Sequence, residues 1–149
     1  MKKGKLLPPA YFQIHLLLMI GLHFVLPIAQ LVQTPYRYTG IPLIGIGLWL
    51  NIRADSLFKR KRTTVKPFEE PAALIEEGPF RISRHPMYLG MVVALLGVAI
   101  ILGSLIAFLA PITFFIAMSV VFISSEEKDM GEAFGKEYLA YKARVRRWL

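Results

Sequence analysis

From Met87 to Ile123 the chain runs 37 residues without a formal charge. As one α-helix, rising 1.5 Å per residue, that run would be about 55 Å long, against a bilayer hydrocarbon core of about 30 Å. It must therefore be two helices. Gly103-Ser104 stands near its middle, where a tight turn fits, and predicts a hairpin of residues 87–102 and 105–123. The whole chain agrees with a membrane setting: 55% of its 149 residues are hydrophobic, 19% are charged and the mean hydropathy is +0.51. Soluble domains carry roughly a quarter charged residues.

Two further apolar segments precede the hairpin, at residues 10–33 and 41–58. The second carries Asn51, Arg53 and Asp55 in its last turns, so it finishes at headgroup depth, where Arg53 can snorkel. The expectation is an all-α integral membrane protein of about four transmembrane helices in a single domain over 1–149, with a polar loop at 59–84 and a C-terminal cytoplasmic amphipathic helix over 126–147. The opening "MKKGK" followed by a long apolar run without a small-x-small cleavage site is expected to be a signal anchor. There is no cysteine, and three scattered histidines without an HExxH pattern give no metal site to propose.

A net charge of +8 and a pI near 9.9 raise the question of nucleic acid, and the positions answer it. Of the 18 Lys and Arg residues, 17 fall in three groups: before the first span (Lys2, Lys3, Lys5), from Arg53 to Arg84, and from Lys128 to Arg147. With four spans all three groups share one face, which the positive-inside rule makes cytoplasmic. Arg37 alone lies across. The charge is thus topological, with no nucleic-acid partner expected, both termini cytoplasmic, and a prokaryotic inner membrane as the setting. Chemistry is expected where the extended polar segments are, at that same face.

Within the spans, His15, His23 and Gln30 fall within about 80° of one another on a helical wheel, a stripe suited to interhelical hydrogen bonds. Gly45, Gly47, Gly90 and Gly97 allow close approach of helices or of a ligand. The loop "KRKRTTVKPFEEPAALIEEGPF" contains a short apolar patch, Ala72 to Ile75, expected on the membrane surface, and Glu69, Glu70, Glu76 and Glu77, which balance nearby cations. After the last span, Ser124 or Ser125 followed by acids reads as a helix start. Met130, Phe134, Tyr138, Tyr141, Val145 and Trp148 then recur every three or four residues, one apolar face with Gly135 weakening its centre.

The segment Ser83-Arg84-His85-Pro86-Met87-Tyr88-Leu89-Gly90 sets a cation and an imidazole at the start of the hairpin. Pro86 suits a first helical turn, which places Arg84 and His85 at the N-terminal mouth of the third span. Such residues also anchor helices at an interface. "GPFRISRHPMYLG" at 78–90, a helical hairpin, "EE" at 126–127 and "FGKEYLAYKARVRRW" at 134–148 together resemble the integral-membrane methyltransferases. That family includes the isoprenylcysteine carboxyl methyltransferases and the phospholipid N-methyltransferases. The resemblance covers residues 63–149 and implies S-adenosylmethionine as methyl donor, with S-adenosylhomocysteine as product. It implies that Arg84, His85, Pro86, Tyr88 and Gly90 build the cofactor pocket, with Gly78 and Pro79 in the preceding turn and Glu126 and Glu127 opposite. Arg84, Glu126 and Glu127 are the residues expected to act in catalysis.

The donor's carboxylate calls for a cation, its ammonium and ribose for carboxylates, and its adenine for apolar walls. The lipid bilayer and a lipophilic acceptor are the expected partners; oligomeric state is not legible. Family members acting on isoprenylcysteine carboxylates place an Arg one helical turn before the paired acids, and here that position is Phe122. The exchange favours a neutral or amine acceptor, such as a phospholipid headgroup, a lipophilic alcohol or a thiol. The competing readings are an NADPH-dependent enzyme like the sterol reductases, whose extra spans this chain lacks, and a non-catalytic small membrane protein.

Overall fold

The computed structural model describes residues 6–26, 28–64, 69 and 71–149. Lys2, Lys3, Lys5 and Glu70, named above, and Lys66 and Pro67 of the quoted loop lie outside the described residues. Five α-helices follow one another: α1 Pro8–Val25, α2 Gly40–Lys61, α3 Pro86–Leu102, α4 Leu109–Ala117 and α5 Ser124–Arg144. Short 3₁₀ turns precede α2, α3 and α4. Among the described residues, three helical stretches are long and apolar enough to cross a membrane: α1, Tyr36–Lys61, and the stretch Leu105–Arg144 that joins α4 to α5; α3 is shorter and apolar.

The 37-residue run bends at Gly103, whose φ of 73° caps α3 in the left-handed region that glycine enters without a steric cost. From there the second limb does not stop at Ile123. A π-helical turn, Met118–Ile123, carries α4 directly into α5, so no side-chain cap at Ser124 or Ser125 starts a separate helix. The 40-residue stretch would measure about 60 Å, twice a hydrocarbon core, and its acidic pair lies about 31 Å from its start, where it would leave the bilayer.

Gly40 and Gly47 of α2 face Gly97 and Gly90 of α3: a Cβ on Gly97 would stand 2.6 Å from the Gly40 carbonyl oxygen, and one on Gly90 2.6 Å from that of Gly47. These contacts let the two backbones touch, the small-residue packing typical of membrane helices. Gly45 has open space around it and takes no part. The main core joins Met19 of α1, Leu95 and Ala99 of α3, and Phe114, Met118, Phe122 and Ile123 beyond the turn. Large side chains pointing outward are apolar too, Leu17 at 70% and Val120 at 69% exposure among them, as a lipid-facing surface requires.

Several boundaries differ from the sequence reading. The first helix ends at Val25, eight residues early, and residues 28–32 return against the Gly103 turn, with Gln30 bridging Ser104. Pro27 follows the helix end and disfavours helix at Leu26, whose φ is −130°. Gln30 therefore leaves the polar stripe. It accepts a hydrogen bond from Arg37 at 2.5 Å, while His15 bonds its own backbone at Tyr11 and only His23 reaches across, to Ser104 at 2.8 Å. Nor is α5 one amphipathic helix. Gly135, at φ 50° and ψ −119°, breaks its axis, and Val145 and Trp148 lie beyond its end. Of the patch Ala72–Ile75, Ala72 stays exposed while Ile75 turns inward, 4% exposed and packed with Ala54, Leu57 and Phe80.

Candidate active site

The head of α3 meets the start of α5. Ser83 is fully buried, and its hydroxyl accepts the His85 backbone N–H at 3.1 Å, fixing the turn from which Arg84 and His85 project. One turn into α3, the Tyr88 ring stacks on His85, centroids 5.9 Å apart, and its hydroxyl donates to Glu126. Adjacent helical residues point about 100° apart, so the two acids face different partners. Glu126 takes Tyr88 and His85, whose Nδ1 lies 3.4 Å away. Glu127 is buried and takes Arg84, with Nη2 at 2.9 Å. His85 lies between the acids, its Nε2 3.5 Å from Glu127. Burial pulls the His85 imidazole down, but hydrogen bonds and attraction from Glu126 and Glu127 outweigh it, so its pKa ends above the ordinary value.

A cavity of about 370 Å³ opens beside this cluster, within the range of small-molecule sites. Arg84, His85, Tyr88, Glu126 and Asp129 give it a polar end, with Pro86 beside them. Its apolar walls come from Met87 and Met91 of α3, Phe58 of α2, the inward patch Ala73–Ile75, and Leu7 to Pro9 at the head of α1. Glu127 stands behind Arg84, outside the lining. Gly78 and Pro79 form the 3₁₀ turn leading to Ser83, and Gly78 borders a separate cleft with Arg53 and Arg60. Gly90 faces α2, away from the cavity.

Sequence reasoning passed over four contributors. Tyr138 and Tyr141, read as membrane anchors, are 3% exposed and line the cavity, and the Tyr141 hydroxyl donates to the Phe80 carbonyl at 2.7 Å. Asp129, one turn beyond Glu126, lines it as well. Arg147, one cation among many in the tail, donates from Nε and Nη2 to Glu127 at 3.0 and 2.7 Å. The aromatic period held the signal for the tyrosines; Arg147 carried none. Phe122 is buried in the core between Tyr11 and Tyr88, so no cation approaches the acids from that position. Glu76 and Glu77 pair with Arg144, Arg60 and Lys61.

Among the described residues, the buried side-chain polar atoms without a hydrogen-bond partner are Arg84 Nε and Nη1 and His85 Nε2. Unsatisfied buried donors are rare and point to a missing acceptor. Arg84 and His85, the residues that carry them, line the cavity's polar end.

An uncharacterized protein of Haemophilus influenzae is 40% identical over 63 residues, 42% of this chain and the whole of that protein. Methanethiol S-methyltransferase 1 of Bradyrhizobium diazoefficiens is 38% identical over 66 residues, 44% of this chain and 22% of that protein. No solved structure matches. The model of the phospholipid methyltransferase family matches residues 36–137, about two thirds of the chain, taking in both Arg84-His85 and Glu126-Glu127. The chain belongs to that family of membrane methyltransferases.

Proposed function

We propose that the protein is an S-adenosylmethionine-dependent methyltransferase acting on a lipophilic acceptor at the cytoplasmic face of the membrane, with four spans and both termini cytoplasmic. The observation that carries this is the pair of buried N–H groups on Arg84 without a hydrogen-bond partner, beside His85 and Glu126 at the polar end of a mostly apolar cavity. Their chemistry fits the donor: a guanidinium with two free N–H groups seats a carboxylate, and Glu126 and Asp129 stand ready for an ammonium or ribose hydroxyls. When bound, S-adenosylmethionine supplies an electrophilic methyl on a sulfonium and leaves as the thioether S-adenosylhomocysteine.

The residues' own contribution is mostly positioning and exclusion of water. Arg84 holds the anionic end, and Glu127 holds Arg84. Tyr88 and His85 together fix the Glu126 carboxylate at the wall. The methionine and aliphatic lining receives an apolar acceptor from the lipid side. An amine or thiol acceptor sheds a proton on methylation, and Glu126 is the carboxylate in place to take it. Both acceptor types suit a wall without a cation at Phe122, and the likeness to a thiol methyltransferase supports including thiols beside phospholipid amines.

Proteoliposomes incubated with methyl-labelled donor test the reading. Label is expected in the organic extract, in a lipid amine or a lipophilic thioether, and is expected to vanish in Glu126→Gln protein. Label absent from the extracts of wild-type protein, across lipid and thiol acceptors alike, contradicts it.

A further inference from the structure

The family match stops at residue 137, yet the chain beyond it returns to the site. The Arg84 backbone N–H donates to the Arg146 carbonyl at 3.1 Å, and the Ser83 hydroxyl to the Arg147 carbonyl at 3.2 Å. Trp148 packs on Phe115, ring centroids 4.4 Å apart, which pins the tail from the other side. Between these ties, the Arg147 guanidinium closes a two-point fork on Glu127. Neither Arg147 nor Glu127 lines the cavity, so an effect of Arg147 there passes through the cavity residues that Glu127 touches, Arg84 at 2.9 Å and His85 at 3.5 Å.

The charge arithmetic gives that fork a consequence. A carboxylate alone with one guanidinium forms a bidentate pair in which both charges cancel. Glu127 already gives both oxygens to Arg147, so Arg84 reaches it through Nη2 only, and Nε and Nη1 stay unpaired. Two guanidiniums sharing one carboxylate carry a net charge of +1, and the Lys142 ammonium, 3.8 Å from the same carboxylate, adds to the excess. A buried cation left so is unfavourable until an anion arrives.

We propose that Arg147 is a positioning residue: by occupying Glu127 it keeps Arg84 from being neutralised and so preserves a cationic seat for the carboxylate of the methyl donor. This rests on the donor reading given above. Without Arg147, Arg84 would turn into the fork itself, and the seat would close.

Two nucleosides separate this role from general support of the fold. S-adenosylhomocysteine carries the carboxylate; 5′-methylthioadenosine shares the adenosine and thioether but lacks the amino-acid end. Both are titrated into wild-type, Arg147→Gln and Arg147→Lys protein in detergent, with melting followed in parallel. Arg147→Gln is expected to weaken S-adenosylhomocysteine on the order of ten- to hundredfold, the scale of charge-assisted contacts, and 5′-methylthioadenosine by less than about twofold. Arg147→Lys keeps the charge without the fork and should show the same selective loss, smaller in size; it carries the comparison should Arg147→Gln not fold. Equal losses for the two ligands, or S-adenosylhomocysteine affinity unchanged in both variants, overturn the role of Arg147. If wild-type protein binds no S-adenosylhomocysteine, the donor reading fails, and this inference with it.

Discussion

The two ends of the α3–α4 hairpin are both rich in polar groups for a membrane protein, and they are built to opposite rules. At the Gly103 end the polar groups close on one another. Ser104 bonds His23, Arg37 donates to the Val32 carbonyl and to Gln30, and the Gly103 carbonyl accepts from Leu31 and Val32. At the other end, ion pairs gather around two acids and still leave two buried N–H groups of Arg84 without a partner. The first arrangement finishes a turn. The second is complete only with an anion, and this contrast separates structural polarity from functional polarity more sharply than residue type does.

The contrast can be broken at either end. The largest effect is expected from Glu126→Gln, which removes the partner of Tyr88 and His85: methyl transfer should fall on the order of a hundredfold. Helix content and detergent melting should hardly change. At the opposite end, Gly103→Ala places a Cβ at φ 73° and against the Val32 carbonyl. It should cost about 1–2 kcal/mol of stability, read from denaturation in detergent, with turnover per folded molecule retained. Ser104→Ala deletes the bond to His23 and should cost less, about 0.6–1.7 kcal/mol, again without loss of donor affinity. A turn-end variant that lost donor binding while staying folded would erase the distinction.

The smallest effect sharpens the picture of His85. Its folded pKa is raised, so folding favours the imidazolium. The stability this gives is present in full below the unfolded value near 6.5 and is lost as pH rises through the folded value. Melting temperature should therefore decline across that window, and His85→Asn should flatten the decline. A steeper dependence in the variant would reverse the sign.

The hairpin was readable because 37 uncharged residues leave a bilayer no alternative and Gly103 marks the bend. The two site motifs were readable because each is contiguous in sequence. What sequence alone could not show was tertiary. The same Tyr138 and Tyr141 period suits a lipid surface or a cavity wall, and only the break at Gly135 and the hydrogen bond to Phe80 decide between them. The burial of Ile75 depends on Ala54 and Leu57, some twenty residues back on α2. Arg147 meets Glu127 across 20 residues by a fold-back with no periodic trace. The early end of α1 was legible in Pro27 but was outweighed by hydropathy.

Titration calorimetry of S-adenosylhomocysteine against purified protein and its Arg84→Ala variant addresses the clasp at the head of α3 most directly. Saturable one-site binding is expected in the wild type, weakened roughly a hundredfold in the variant, with both proteins melting within a few degrees of each other. Binding of equal strength in the two proteins, or none in either, would contradict a donor seat between Arg84-His85 and Glu126-Glu127.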